Sequence, residues 1–270
     1  MAVPQLTEST LELNSRIALL TLQRDDVRNA LTGTRLVEDI VDTVTWADQA
    51  PEVSVLVITG AGSAFCAGGN IKEMKDKTGT FSGSVIEIQD QYRRGIQRMP
   101  LALHRAEIPI IAAVNGAAIG AGFDLACCCD LRLGSSKALF GETFINLGIV
   151  PGDGGAWFLQ RLLGYQRAAE LAFTGRLVKA EEALALGILL EVMAPEALLP
   201  RTMELAAEIA AKPPQAVRLT KRMLKLAQRQ ELPDFLDLCA SFQGMAHHTQ
   251  DHAEAVAAFL EKRPPRYSGS

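Results

Sequence analysis

The chemistry legible in this chain concentrates between Pro109 and Asp130, Pro-Ile-Ile-Ala-Ala-Val-Asn-Gly-Ala-Ala-Ile-Gly-Ala-Gly-Phe-Asp-Leu-Ala-Cys-Cys-Cys-Asp. The apolar residues Ile110 to Val114 lie between Pro109 and Asn115-Gly116, which predicts a buried strand closed by a turn. Small residues follow, Gly116, Ala117, Ala118, Gly120, Ala121 and Gly122, and then Asp124 leads an apolar stretch of helical length. A strand, a small-residue turn and a helix start together aim free backbone N–H groups at whatever sits above the helix N-terminus. No Lys or Arg lies in the stretch, so a phosphate is a poor match. An oxygen that is neutral at rest and becomes negative during reaction suits it better.

A second stretch has the same make-up. Val53 to Thr59 reads as a buried strand and ends in Gly60-Ala61-Gly62-Ser63, followed by Ala64-Phe65-Cys66-Ala67-Gly68-Gly69-Asn70. Two such turns need a scaffold, and the hydrophobic periodicity supplies one. Strands are expected at Ile17–Leu22, Leu131–Leu133, Ala138–Phe140 and Ile188–Val192. Helices are expected at about 33–49, 85–107, 122–129, 156–163, 166–173 and 180–186. The polar segment 71–84 is expected to be mobile. From about 196 onward only helices are expected, broken at Pro213-Pro214 and near Pro233. The fold class is therefore α/β, with a core over 1–195 and a helical region over 196–270.

Composition narrows the function classes. The chain has 270 residues, 48% hydrophobic and 21% charged, with net charge −4. That balance gives no global attraction to nucleic acid or to a membrane surface, and no apolar run is long enough to span a bilayer. The five cysteines include Cys127-Cys128-Cys129, which cannot readily pair with one another on a helix. They read as reduced, buried thiols and point to the cytoplasm. No His/Cys/Asp cluster has metal-ligand spacing, so neither a metal nor a redox cofactor is expected.

The residues also carry a resemblance. Ala64-Phe65-Cys66-Ala67-Gly68-Gly69-Asn70-Ile71-Lys72-Glu73-Met74 and Ala112-Ala113-Val114-Asn115-Gly116-Ala117-Ala118-Ile119-Gly120-Ala121-Gly122 resemble signatures of the crotonase (enoyl-CoA hydratase/isomerase) superfamily. Phe140-Gly141-Glu142, Leu147-Gly148-Ile149-Val150-Pro151-Gly152 and Lys212-Pro213-Pro214 extend the likeness over nearly the whole chain. The resemblance implies a spiral of ββα units with a C-terminal helical oligomerisation region, and a homotrimer or a dimer of trimers. It implies an acyl-CoA substrate, with coenzyme A arriving as part of that substrate. The thioester oxygen would take hydrogen bonds from the Gly69 and Ala121 N–H groups, which would then stabilise an enolate. Ala67, Gly69, Asn70, Ile71, Lys72 and Gly120 would border the substrate, with Arg24 and Arg28 as further phosphate contacts.

The acids depart from the hydratase pattern. Well-known hydratases use two glutamates, and the matching positions here are Asp124 and Phe144. Asp124 can transfer a proton and Phe144 cannot, so Phe144 is expected with Phe123 to line the acyl pocket. Glu142 and Asp153 are the available substitutes for the second acid. Glu142 on a strand would share a face with position 144; alternatively it is structural, held by a backbone group or by Arg132. Asp124 could also cap its own helix, and Asp153 the helix that follows it. Trp157 and Phe158 are expected to pack in the core or at a subunit contact. Enoyl-CoA hydration is the leading expectation, double-bond isomerisation the alternative, and a non-catalytic acyl-CoA binder the reading from another class.

Overall fold

The computed structural model describes residues 2–270. The chain opens with β1 (Ser9–Asn14), β2 (Ile17–Leu22), α1 (Leu36–Gln49), β3 (Val55–Gly60) and β4 (Ala64–Cys66). Then come α2 (Ile71–Asp76), α3 (Val85–Arg94), α4 (Arg98–Arg105), β5 (Ile110–Val114), β6 (Ala117–Ile119) and α5 (Ala121–Cys128). Next are β7 (Leu131–Ser135), β8 (Leu139–Gly141), α6 (Gly155–Leu163), α7 (Tyr165–Thr174), β9 (Leu177–Lys179), α8 (Ala180–Leu186) and β10 (Glu191–Met193). The chain closes with α9 (Pro195–Ala210), α10 (Pro214–Leu226), α11 (Leu232–His247) and α12 (Gln250–Glu261).

Three successive turns of the chain, β3-β4, β5-β6 and β7-β8, each give one strand to a large sheet, the next to a small sheet, and then helix. The large sheet runs β1-β2-β3-β5-β7-β10 and the small one β4-β6-β8-β9. β3, β5 and β7 lie side by side and parallel, as do β4, β6 and β8. This is the spiral of ββα units. A parallel sheet must be covered on both faces, and the strand residues alternate accordingly. Leu56, Ile58, Ile110, Ala112 and Val114 face the main core with α1, α4 and α5. Val55, Val57, Ile111, Ala113 and Leu133 face Leu198, Ala206 and Ala210 of α9. The first helix after residue 195 is therefore part of the packing of the large sheet.

The structure adds strands that periodicity does not show. β1 pairs with β2 as a hairpin, and β4, β6 and β9 are three residues each. Strands so short carry no readable alternation, and only the neighbouring edge defines them. The helix expected over 85–107 is two, α3 and α4, separated at Gly95, whose φ of −102° and ψ of −111° cannot continue a helix. The last expected strand lies at Glu191–Met193 instead of Ile188–Val192. The segment 71–84 holds α2 and a 3-10 turn at Gly79–Phe81.

Candidate active site

The two small-residue turns meet. Gly68 has φ +80°, and a Cβ there would lie 2.4 Å from the Ile119 carbonyl oxygen and 3.1 Å from the Ala121 nitrogen. Gly120, with φ +54° and ψ −123°, turns β6 into α5, a conformation that strains any L side chain. Its N–H donates to Gly141 O at 2.8 Å, and its carbonyl accepts from Phe123 and Asp124 at 2.8 and 3.0 Å, so the turn is held on both sides. The first turn is held likewise, by Leu31 N–H donating to Gly68 O at 2.7 Å and Asn70 N–H donating to Thr32 Oγ1 at 2.6 Å. Ala121 is the first residue of α5, so its N–H has no acceptor within the helix. Among the described residues neither the Gly69 nor the Ala121 N–H is hydrogen-bonded within the protein. The fold thus keeps two unpaired backbone donors next to each other.

Three carboxyls are buried beside them. Asp124 on the first turn of α5 is 0% exposed, Glu142 just past β8 is 2%, and Asp153 in the glycine-rich loop is 3%. The Gly155 N–H, at the start of α6, donates to Asp124 Oδ2 at 3.1 Å. A Cβ at Gly155 would lie 2.1 Å from Asp124 Oδ1 and 2.5 Å from Glu142 Oε1, so these two carboxyls converge on one point. Among the described residues no N–H or hydroxyl group donates to Asp124 Oδ1, Asp153 Oδ1 or either oxygen of Glu142, which leaves the carboxyls only one another. Neither a backbone group nor Arg132, the partners a structural Glu142 would use, meets it: Arg132 instead donates to the carbonyls of Ala126, Cys129 and Ile188.

Carboxyls placed so cannot all ionise. Burial first, and then the charges of Glu142 and Asp153, push Asp124 well above the usual carboxylate range. Burial raises Glu142 to about 7, although a hydrogen bond from the Asp124 carboxyl opposes the rise. Burial alone raises Asp153 to about 6. At neutral pH Asp124 therefore carries a proton, which it donates to Glu142, while Asp153 is mostly carboxylate. Neighbouring acids in opposite protonation states are what paired proton transfer needs. Gly155→Ala would drive a methyl group between Asp124 and Glu142. It is expected to destabilise the fold by about 1–3 kcal/mol and to lower turnover, as read by thermal melting alongside an activity assay.

Several expectations are corrected here. Asp124 caps α6 through Gly155 and not its own helix. The N-cap of α6 is Gly154, with no side-chain cap, so Asp153 is not a cap. Asp153 instead lines a cavity of about 400 Å³ with Gln97, Pro100, Leu101, His104, Trp157 and Phe158. Trp157 and Phe158 thus line a cavity and are not closed into the core. β8 ends at Gly141 and a 3-10 turn follows at Thr143–Leu147, so Glu142 and Phe144 do not share a strand face. Glu142 turns to Asp124, and the Phe144 ring stands 3.6 Å from the Cβ position of Gly120, beside the donor turn. Phe123 packs on Phe140 in the core, ring centroids 5.2 Å apart, and is no pocket residue. Sequence reasoning missed Gly155, and only its place after Gly152-Asp153-Gly154 hinted at it.

The segment flanking the first donor turn is open. Ala67 N–H donates to Arg28 O at 2.9 Å, which sets Arg28 beside the turn. Asn70 caps α2 by accepting the Lys72 N–H at 3.1 Å, and Ile71 and Lys72 are exposed on its first turn. Among the described residues neither Arg28 nor Lys72 forms an ion pair. Arg24 differs: its guanidinium is held by Glu8 and by both oxygens of Asp26, the latter at 2.8 Å each.

Unpaired N–H donors beside buried acids of opposite protonation, on a ββα spiral, form an arrangement that can hold a developing oxyanion and move protons near it. The chain belongs to the enoyl-CoA hydratase/isomerase family, whose model matches residues 12–270. It is 37% identical to a crotonyl-CoA hydratase of Syntrophomonas wolfei, over 95% of this chain and 96% of that protein. It is 36% identical to a short-chain-enoyl-CoA hydratase of Clostridium acetobutylicum, over 96% of this chain and 97% of that one. An enoyl-CoA hydratase structure from Bacillus anthracis superposes with a TM-score of 0.91 at 31% identity, covering 98% of this chain and 100% of that one.

Proposed function

We propose that the protein hydrates an enoyl-CoA thioester through an enolate held by Gly69 and Ala121. The observation that carries this reading is the pair Asp124 and Asp153, kept in opposite protonation states beside two unpaired backbone donors. The thioester oxygen accepts from the Gly69 and Ala121 N–H groups. Asp153 takes a proton from water as the water oxygen bonds to C3. The C2=C3 electrons move toward the thioester oxygen, where the fixed donors stabilise the new charge. Asp124 then gives its proton to C2, which completes the addition of one water. Glu142 positions Asp124 and keeps it protonated. The coenzyme A portion runs along Ala67 to Lys72 with Gly120 and Phe144 at the acyl end, and Lys72 and Arg28 meet its phosphates; Arg24 would first have to leave Glu8 and Asp26. The sequence of steps calls for no metal or redox cofactor.

Isomerisation of the double bond is the second reading, and Phe144 favours it. The position where hydratases carry their second glutamate holds a phenyl ring, and one carboxyl suffices to move a proton between carbons. Turnover of a panel of enoyl-CoA thioesters separates the two. Product heavier by one water establishes hydration, and product of unchanged mass with shifted absorbance establishes isomerisation. Binding without any turnover would overturn both.

Asp153 also links activity to stability. Its carboxyl rises from 3.8 to about 6 on folding, so the fold favours its neutral form. The stabilising contribution is complete below about pH 4 and is lost as pH rises through 6. Asp153→Asn is therefore expected to be more stable than the parent at pH 8, by about 3 kcal/mol, and less active. Denaturant titrations at pH 4 and pH 8 read the difference, which should vanish at the lower pH.

A homotrimer or a dimer of trimers is part of the proposal. Leu232 and Leu236 of α11, and Val256, Phe259 and Leu260 of α12, are exposed, and apolar side chains so grouped call for cover. Among the described residues no helix is long and apolar enough to cross a membrane. The unpaired thiols of Cys66, Cys127, Cys128, Cys129 and Cys239 support a reducing compartment, the cytoplasm.

A further inference from the structure

The cavity beside Asp153 is larger than a four-carbon acyl group requires. It measures about 400 Å³, within the range of pockets that hold drug-sized ligands. Pro100, Leu101 and His104 of α4 line it together with Trp157 and Phe158 of α6, and His104 touches both rings, so the three rings form one continuous wall. The amide of Gln97 is turned to the wall, donating to Gly152 O at 2.9 Å.

The rings in that wall form an ordered group. Trp157 and Phe158 stand edge to face with centroids 4.7 Å apart, and His104 meets them at 5.1 and 6.1 Å in the same manner. The Arg161 guanidinium lies over the indole 3.7 Å from its centroid and donates to Trp157 O at 3.0 Å, which fixes the ring. His104 is likewise fixed, its Nε2 2.7 Å from Arg229 Nη2. Burial and the cations Lys225, Arg229, Lys221 and Arg161 lower the His104 pKa, so it presents a neutral ring. A wall of immobilised rings at these spacings accepts a further ring edge to face, a preference that an alkyl chain does not share. The Asp153 carboxylate at the cavity edge disfavours an anionic acyl group.

We propose that the acyl group carries an aromatic ring seated against Trp157, Phe158 and His104, with its reacting carbons between the Gly69–Ala121 donors and Asp153. This rests on the acyl-CoA reading of the site. The test is calorimetric binding of three saturated thioesters to the intact protein: butanoyl-CoA, octanoyl-CoA and 3-phenylpropanoyl-CoA. The phenyl thioester is expected to bind at least 10-fold tighter than butanoyl-CoA and tighter than octanoyl-CoA. Trp157→Leu and Phe158→Leu keep bulk but lose the rings. Each is expected to reduce the phenyl preference roughly 2- to 12-fold and to leave butanoyl-CoA affinity unchanged. Octanoyl-CoA binding as tightly as the phenyl thioester, or a preference unmoved in both variants, overturns the ring and leaves the acyl-CoA reading standing. Failure of all three thioesters to bind overturns both.

Discussion

Exchanging Ala121 for proline is expected to lower kcat about 10²- to 10³-fold while the protein stays folded. Most backbone donors cannot be deleted by substitution without breaking structure. Ala121 is an exception because it is the first residue of α5. Proline is favoured at that position: its fixed φ suits a helix start, and the N–H that it lacks has no partner in the helix. The change therefore removes one donor to the thioester oxygen. The enolate then loses stabilisation that the ground state hardly uses, so kcat falls with kcat/KM. Circular dichroism and the melting temperature should match the parent closely. A folded Ala121→Pro protein with parental kcat would show that this N–H takes no part in the reaction.

Asp124→Asn should cost about 10²- to 10⁴-fold in kcat, the range for loss of a positioned acid. The asparagine keeps the shape of aspartate, can still accept from Gly155 N–H through its oxygen, and can donate to Glu142 through its amide. Packing is thus retained, and only the transferable proton is gone. The parent's pH profile should show the origin of the effect. Activity should rise as Asp153 ionises near pH 6 and fall at higher pH, where Asp124 loses its proton. In Asp124→Asn the residual activity should keep the acid limb and lose the alkaline one. An alkaline limb that persists in this variant would assign the proton to another group, and Glu142 would be the first candidate.

Much of the scaffold and the donor turns could be read from residue types alone. The run Ile110–Val114 and the run from Val53 are apolar without alternation, which marks strands covered on both faces. The small residues after them mark backbone approached closely, and Gly69 and Ala121 were identifiable through motif resemblance before any coordinate. Asp124 stood out as the one acid in an apolar helix. These features are local, and local physics determines them: side-chain size, turn chemistry and helix ends act over a few residues.

The roles of the acids were decided only by tertiary structure. Glu142 and Asp124 are far apart in the chain and meet because β8 ends at Gly141 and α6 begins at Gly155. Gly155 is glycine because the two carboxyls occupy the space that its Cβ would fill. Asp153 looked equally suited to capping a helix until the loop turned it into a cavity. Trp157 and Phe158 looked like core or subunit-contact residues until α4 brought His104 against them at the edge of a cavity. A carboxyl's protonation depends on desolvation and on charges brought in from other elements. A helix face is core or cavity wall according to what packs opposite it. The sequence by itself determined which groups this protein has to work with, and three-dimensional packing determined their charge and what each one faces.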